Sequence, residues 1–183
     1  MKVVDLGHQP ESILEQAAAL MVDHFDGPTG WDDLVDARRE VRRILAEGFG
    51  RSALDGDVLI GWVGGLPEYD GRVIELHPLV VRRESRREGV GRALVEALEE
   101  EARRRGAFTI TLGTDDDTGM TSLTGADLYA DIPGQIANLH DLGRGHPFLF
   151  YLKLGFVVTG VMPDANGLGR PDIFMSKRVK PVG

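Results

Sequence analysis

The sequence predicts one α/β domain over residues 1–183, with helices flanking a mixed central sheet whose strands splay apart. Three observations predict it. Segments that alternate every two residues interleave with segments of helical periodicity along the whole chain. A strand-like run, Leu79-Val80-Val81, passes through a glycine turn directly into the strongest helical pattern. A length of 183 residues suits one domain, and 42% hydrophobic residues suffice for a core.

Glu11 to Phe25 is amphipathic, with Ile13, Leu14, Ala17, Leu20, Met21 and Phe25 at helical intervals, and Trp31 to Glu47 is a second helix closed by Gly48. Ser52-Ala53-Leu54 and Val58 to Leu66 read as strands joined by the tight turn Asp55-Gly56-Asp57. Pro67 to Gly71 is the next turn, and Arg72 to Val81 the following strand. Val90, Leu94, Leu98 and Ala102, widened by Val95 and Ala97, stripe a helix from Val90 to Arg105 that Gly106 stops. Glu99, Glu100 and Glu101 each precede an arginine by four residues, the favourable order for helix ion pairs, and this run is expected to be a solvated face. Phe108 to Gly113 is another central strand, Gly119 to Arg144 is polar and only partly helical, and His146 to Leu154 is helical. Phe156 to Val161 and Ile173 to Val179 complete the strands.

Composition narrows the function. A formal net charge of −8 argues against nucleic-acid binding, which calls for a basic footprint, and suits a cationic partner. The chain has no cysteine, which excludes disulfides, thiolate zinc sites and a cysteine nucleophile. His77, His140 and His146 lack the spacing of a metal set, so no metal is expected. No apolar run reaches membrane-spanning length and the N-terminus does not read as a secretory signal, so a cytoplasmic enzyme is the expectation.

The turn Arg86-Arg87-Glu88-Gly89-Val90-Gly91 opens the Val90 helix. Such a turn leaves backbone N–H groups unpaired at the positive end of a helix dipole, as a pyrophosphate requires. Gly89 and Gly91 carry no Cβ to hold phosphate oxygens away, and Arg86, Arg87 and Arg92 add charge. With its Arg-x-x-Gly-x-Gly spacing the segment resembles the coenzyme turn of acyl-coenzyme A N-acyltransferases of the GNAT superfamily. Upstream, Pro78 interrupts the strand Val73 to Val81, where a proline favours a bulge or a broken pairing. Strict alternation would put Glu75, His77, Leu79 and Val81 on one side and Ile74, Leu76 and Val80 on the other. If the Phe108 strand is its neighbour, the two splay beyond Pro78. The amides of pantetheine would then dock at Leu79, Val80 and Val81 as a surrogate strand.

Phe150-Tyr151-Leu152-Lys153-Leu154-Gly155-Phe156 resembles the aromatic helix and glycine turn of the same superfamily. That resemblance implies that Tyr151 protonates the departing coenzyme A thiolate; a core tyrosine is the competing reading. Several segments together resemble, more closely, the aminoglycoside 6'-N-acetyltransferases of the chromosomal enterococcal type. They are Glu75 to Val81, Leu112 to Asp116, Asp127-Leu128-Tyr129, His146 to Phe156, Gly160 to Gly167 and Pro171-Asp172-Ile173. The resemblance covers roughly Gly61 to Lys177. It implies acetyl transfer from acetyl-coenzyme A to the 6'-amine of an aminoglycoside, usually by a homodimer.

The acids suit such a polycation. Glu75, Asp115, Asp116, Asp117, Asp164 and Asp172 are expected near the mouth of the cleft, though Asp115–Asp117 reads equally as a solvated turn. Glu75 is the first candidate to take the proton from the amine, directly or through water, with His77 second. A backbone N–H near Leu79 would polarise the thioester carbonyl. Without a cysteine acyl-enzyme, direct transfer in a ternary complex is expected. The alternatives are another amine acceptor (a polyamine, a protein N-terminus or a lysine) and a non-catalytic acyl-coenzyme A sensor.

Overall fold

The computed structural model describes residues 1–25 and 33–179, which form two compact units, Met1–Ile110 with Val179 and Thr111–Arg178. The architecture is α/β. The first unit holds β1 (Lys2–Asp5), α1 (Glu11–His24), α2 (Leu34–Glu47), β2 (Phe49–Asp55), β3 (Val58–Glu68), β4 (Val73–Val81) and α3 (Val90–Arg104). β1 to β4 pair antiparallel in chain order. Both the Phe108 and Thr109 N–H groups reach the Arg72 carbonyl, at 2.8 and 3.3 Å, so β5 (Thr109–Asp115) starts beside the start of β4. That pair runs parallel, and the sheet is mixed as expected.

α1 and α2 cover one face of β2–β4. Ile13, Ala17, Leu20 and Met21 from α1 and Ala37, Val41 and Ile44 from α2 bury against Leu59, Trp62, Leu66 and Val80. The Trp62 indole satisfies its N–H on the Ala17 carbonyl at 3.1 Å, as a buried donor must. Truncating Trp62 to alanine at this site would cost ~3–5 kcal/mol. α3 lies on the opposite face, where a Cβ at Gly61 would meet Val90 and Leu94 at 3.2 Å each. The second helix begins later than expected, because Asp33 accepts the Asp36 N–H at 2.8 Å and so caps it; Trp31 lies outside the described residues. β3 also runs past its expected end, pairing Pro67 with Ile74, and the turn is confined to Tyr69-Asp70-Gly71.

The β3–β4 pairing contains the break that Pro78 predicts. Val63 pairs with Leu79 and Gly65 with Leu76, so Gly64 alone opposes His77 and Pro78, a one-residue bulge on β4. The bulge reverses side-chain parity. Residues paired across antiparallel strands share a face. Glu75 opposite Leu66 and Val80 opposite Trp62 therefore both face α1 and α2. Leu79 opposite Val63 and Val81 opposite Gly61 face α3. The expected alternation is corrected accordingly: Leu79 and Val81 are not on the face of Glu75 and His77.

The glutamate run on α3 also departs from expectation. Glu99 and Glu101 are only 5% and 3% exposed. Glu101 binds Arg51 at 2.6 Å and Arg105 at 2.7 Å, with Arg104 on the same carboxylate. Periodicity alone misses this because Arg51 arrives from β2, outside the helix.

The second unit holds the rest of β5, α4 (Ile132–Ala137), α5 (Phe148–Lys153), β6 (Val157–Met162) and β7 (Asp172–Arg178). β7 pairs antiparallel with β6, and Thr111 of β5 donates its hydroxyl to the Met175 carbonyl at 3.3 Å. The helix predicted from His146 shortens to Phe148–Lys153, with Pro147 at its N-cap.

Candidate functional site

The turn from β4 into α3 has the geometry of an anion cradle. Gly89 caps α3 in the left-handed region, at φ 86°, where a side chain would be strained. No side chain caps the helix, so its first-turn N–H groups are left for an external acceptor. Arg86, Arg87, Glu88 and Gly89 are exposed, Gly91 and Arg92 follow in the first turn, and Val90 is buried as an anchor beneath. Arg86 donates to the Val81 carbonyl at 3.2 Å and to His24 Nδ1 at 2.9 Å, which ties the end of α1 to this turn. Beside it lies a cavity of about 260 Å³, lined by Leu20, Asp23 and His24 from α1, Val81 from β4, and Arg82, Arg83, Glu84 and Arg86, three guanidiniums against two carboxylates. The residues present fit a phosphate-bearing ligand.

On β4, Glu75 is half-buried, and its carboxylate makes no hydrogen bond or ion pair with the described residues. His77 is differently placed. Its Nε2 lies 3.2 Å from Oε1 of Glu40, a 16% exposed side chain on α2. Arg43 holds that carboxylate at 2.7 and 2.9 Å. The hydrogen bonds from Arg43 keep the Glu40 carboxyl below its ordinary pKa against the opposing effect of burial, and His77 adds to this. Glu40 was not foreseen. A signal existed: it lies on the same helical face as Ala37, Val41 and Ile44, where an acid at a core-facing position requires a partner. Leu79, Val80 and Val81 continue past the bulge toward the turn, Val80 buried and its neighbours half-buried.

In the second unit, Tyr151 is buried, edge-on to Phe150 and Phe156 with ring centroids 5.1 and 5.5 Å away. Burial raises its pKa far above the ordinary phenol value, so it stays protonated. Its hydroxyl makes no hydrogen bond among the described residues. Asp115 is exposed at the end of β5 and accepts from Asn166 Nδ2 at 2.7 Å. The Asp172 carboxylate lies over Gly113 on the neighbouring strand, on the exposed face that Asp115 shares. Asp164 is half-buried and accepts the Gly169 N–H at 2.7 Å.

Asp116 corrects the expected set. It is 0% exposed, and its oxygens accept from the Met120 N–H, the Thr121 N–H and hydroxyl, and the Thr124 hydroxyl at 2.6 to 2.9 Å. Burial pushes its pKa up, but the hydrogen bonds outweigh that and leave it below the usual carboxylate range. Such a carboxylate organises a loop and is closed to an external cation. Adjacent aspartates look alike in sequence; strand alternation turns one outward and the next inward.

Comparisons with known proteins bear on the family and the fold. The profile of the Acetyltransferase (GNAT) family matches residues 17–123. A crystal structure of an aminoglycoside 6'-N-acetyltransferase complexed with coenzyme A is similar at 35% identity and TM-score 0.90, covering 100% of this chain and 99% of that one. The aminoglycoside 6'-N-acetyltransferase from Enterococcus faecium is similar at 36% identity and TM-score 0.90, with the same coverage of 100% and 99%. An aminoglycoside 6'-acetyltransferase type Ii is similar at 31% identity and TM-score 0.75 over 100% of both chains. No curated protein matches in sequence. With an α/β fold, an uncapped glycine turn before α3 and a family match over more than half its length, the chain belongs to the GNAT family of acetyltransferases.

Proposed function

We propose that the chain is an acetyl-coenzyme A-dependent aminoglycoside 6'-N-acetyltransferase. The observation that carries the reading is the bulge at His77–Pro78, which sets an uncommitted Glu75 just before a break in β4 that leads to the Arg86–Gly91 turn. The full-length likeness to aminoglycoside 6'-N-acetyltransferases supports the choice of acceptor.

Bound acetyl-coenzyme A supplies an acetyl thioester. Gly89, Val90, Gly91 and Arg92 present backbone N–H groups to its pyrophosphate, with Arg86 and Arg87 adding charge. Leu79, Val80 and Val81 hold the pantetheine amides by backbone hydrogen bonds, and the N–H near Leu79 polarises the thioester carbonyl. Glu75 takes the proton from the 6'-ammonium, directly or through water, because an amine still protonated cannot attack. The freed nitrogen bonds to the acetyl carbon as the carbon–sulfur bond breaks. Tyr151 gives its proton to the thiolate and regains one from the acetylated nitrogen, which must shed a second proton to become a neutral amide, while Glu75 releases the first to water. Asp115, Asp164 and Asp172 offset the remaining ammonium charges at ~0.2–1 kcal/mol per exposed pair, so affinity rests on several together. Direct transfer fits a chain without cysteine.

We read residues 1–183 as one catalytic domain, cytoplasmic and acting as a homodimer. Among the described residues, no helix is long and apolar enough to cross a membrane, and no cluster of His, Cys, Asp and Glu would hold a metal ion. The test is incubation with kanamycin and acetyl-coenzyme A, with mass spectrometry to locate the acetyl group. A single acetyl on the 6'-nitrogen supports the reading. Turnover confined to polyamines or peptide amines would replace the acceptor, and tight coenzyme binding without transfer to any amine would leave a sensor.

A further inference from the structure

His146 lies outside the roles assigned above, yet it is 1% exposed with every polar atom engaged. Its backbone N–H donates to Asp141 Oδ1 at 2.8 Å. On the ring, Nδ1 lies 3.1 Å from the Phe148 nitrogen and Nε2 lies 3.0 Å from the Asp115 carbonyl oxygen. A backbone N–H can only donate and a carbonyl can only accept, so the tautomer is fixed: Nδ1 accepts and Nε2 carries the hydrogen. The Phe148 N–H is one of the orphan donors at the start of α5, whose N-cap Pro147 supplies no side-chain acceptor. Tyr151 sits one turn further along that helix.

We propose that His146 is a positioning residue for Tyr151, a neutral imidazole that pins the start of α5 to the end of β5 through Phe148 and Asp115. α5 is only 6 residues long, too short to hold its own geometry, so external anchoring decides where its side chains sit. Desolvation lowers the pKa of the ring and outweighs the Asp115 carbonyl and the charges of Asp116, Asp141 and Asp115, which favour protonation, so the ring stays neutral. A proton on Nδ1 would eject the Phe148 N–H. The inference rests on the role given above to Tyr151.

The experiment is a double-mutant cycle of His146→Gln and Tyr151→Phe, read as kcat with saturating acetyl-coenzyme A. Tyr151→Phe alone is expected to lower kcat; an unchanged kcat would remove Tyr151 from catalysis and this proposal with it. Given that loss, His146→Gln is expected to lower kcat about tenfold in the native background and less than about twofold in the Tyr151→Phe background. An equal loss in both backgrounds would overturn the positioning role while leaving that of Tyr151 intact. Should the glutamine variant misfold, NMR of the unmodified enzyme labelled with ¹⁵N-histidine decides. A ring neutral at pH 6 with hydrogen on Nε2 supports the proposal, and a ring protonated there or carrying hydrogen on Nδ1 overturns it.

Discussion

Gly64 and His77 approach so closely across β3 and β4 that a Cβ at residue 64 would stand 2.3 Å from the His77 carbonyl oxygen and 2.8 Å from Cγ2 of Ile44. Neither backbone nor packed isoleucine yields readily, so the bulge requires glycine opposite it. Gly64→Ala is expected to destabilise the fold by ~1–3 kcal/mol in urea denaturation. By displacing the β4 backbone it should also lower kcat/KM about tenfold. An unchanged midpoint and rate would mean that the bulge is not held from the β3 side.

Glu75→Ala is expected to lower kcat/KM by ~10²–10⁴-fold if the carboxylate accepts the substrate proton. Steady-state kinetics with kanamycin as acceptor would measure it. A loss below about tenfold would confine Glu75 to orienting the ammonium.

Arg86→Ala removes a guanidinium from the mouth of the turn and releases His24. Charged hydrogen bonds contribute ~1.5–3 kcal/mol, which predicts coenzyme A binding weaker by roughly 10- to 100-fold in titration calorimetry. The heat of binding should also lose part of its salt dependence. Equal affinity in variant and parent would place the pyrophosphate elsewhere.

Neighbouring aspartates should separate cleanly. Asp115→Asn is expected to raise the aminoglycoside KM a few-fold with thermal stability unchanged, since an exposed pair gives ~0.2–1 kcal/mol. Asp116→Asn should lower Tm, because an amide accepts fewer hydrogen bonds than the carboxylate that binds Met120, Thr121 and Thr124. The reverse pattern would restore Asp116 to the substrate face.

Glu101 gives a pH signature. Burial pushes its carboxyl up, but hydrogen bonds from Arg104 and Arg105 and the charge of Arg51 bring it down to about 2. A depressed folded pKa stabilises above the unfolded value and loses that stabilisation as pH falls. The contribution, about 3 kcal/mol, should therefore be complete above roughly pH 5 and vanish between there and pH 2. Glu101→Gln should destabilise at pH 7 by ~3–5 kcal/mol and flatten this part of the stability curve. Parallel curves for parent and variant would assign the acid sensitivity to other carboxylates.

Much of this is legible in the sequence. Periodicity placed α1 and α3 to within a residue, because each buries a continuous apolar stripe. Pro78 marked the break in β4 because proline lacks the N–H that a strand interior needs. The parity reversal beyond it was not legible: it depends on how many residues of β3 oppose the proline, a fact of pairing that β4 alone does not contain. Long-range partners were hidden for the same reason. Glu40 meets His77 across 37 residues and Arg51 meets Glu101 across 50, distances over which local pattern carries no information.

The bulge has a bearing on which variants of the chain survive. Deleting either His77 or Pro78 would restore unbroken alternation and swing Val80 away from Trp62 to the α3 side. The apolar layer under α1 and α2 would be left with a hole, and a valine would be driven into space already filled by Val90 and Leu94. Folding and the notch in β4 are thus inseparable: a shortened strand forfeits both, and a chain that reaches its native state carries the notch with it.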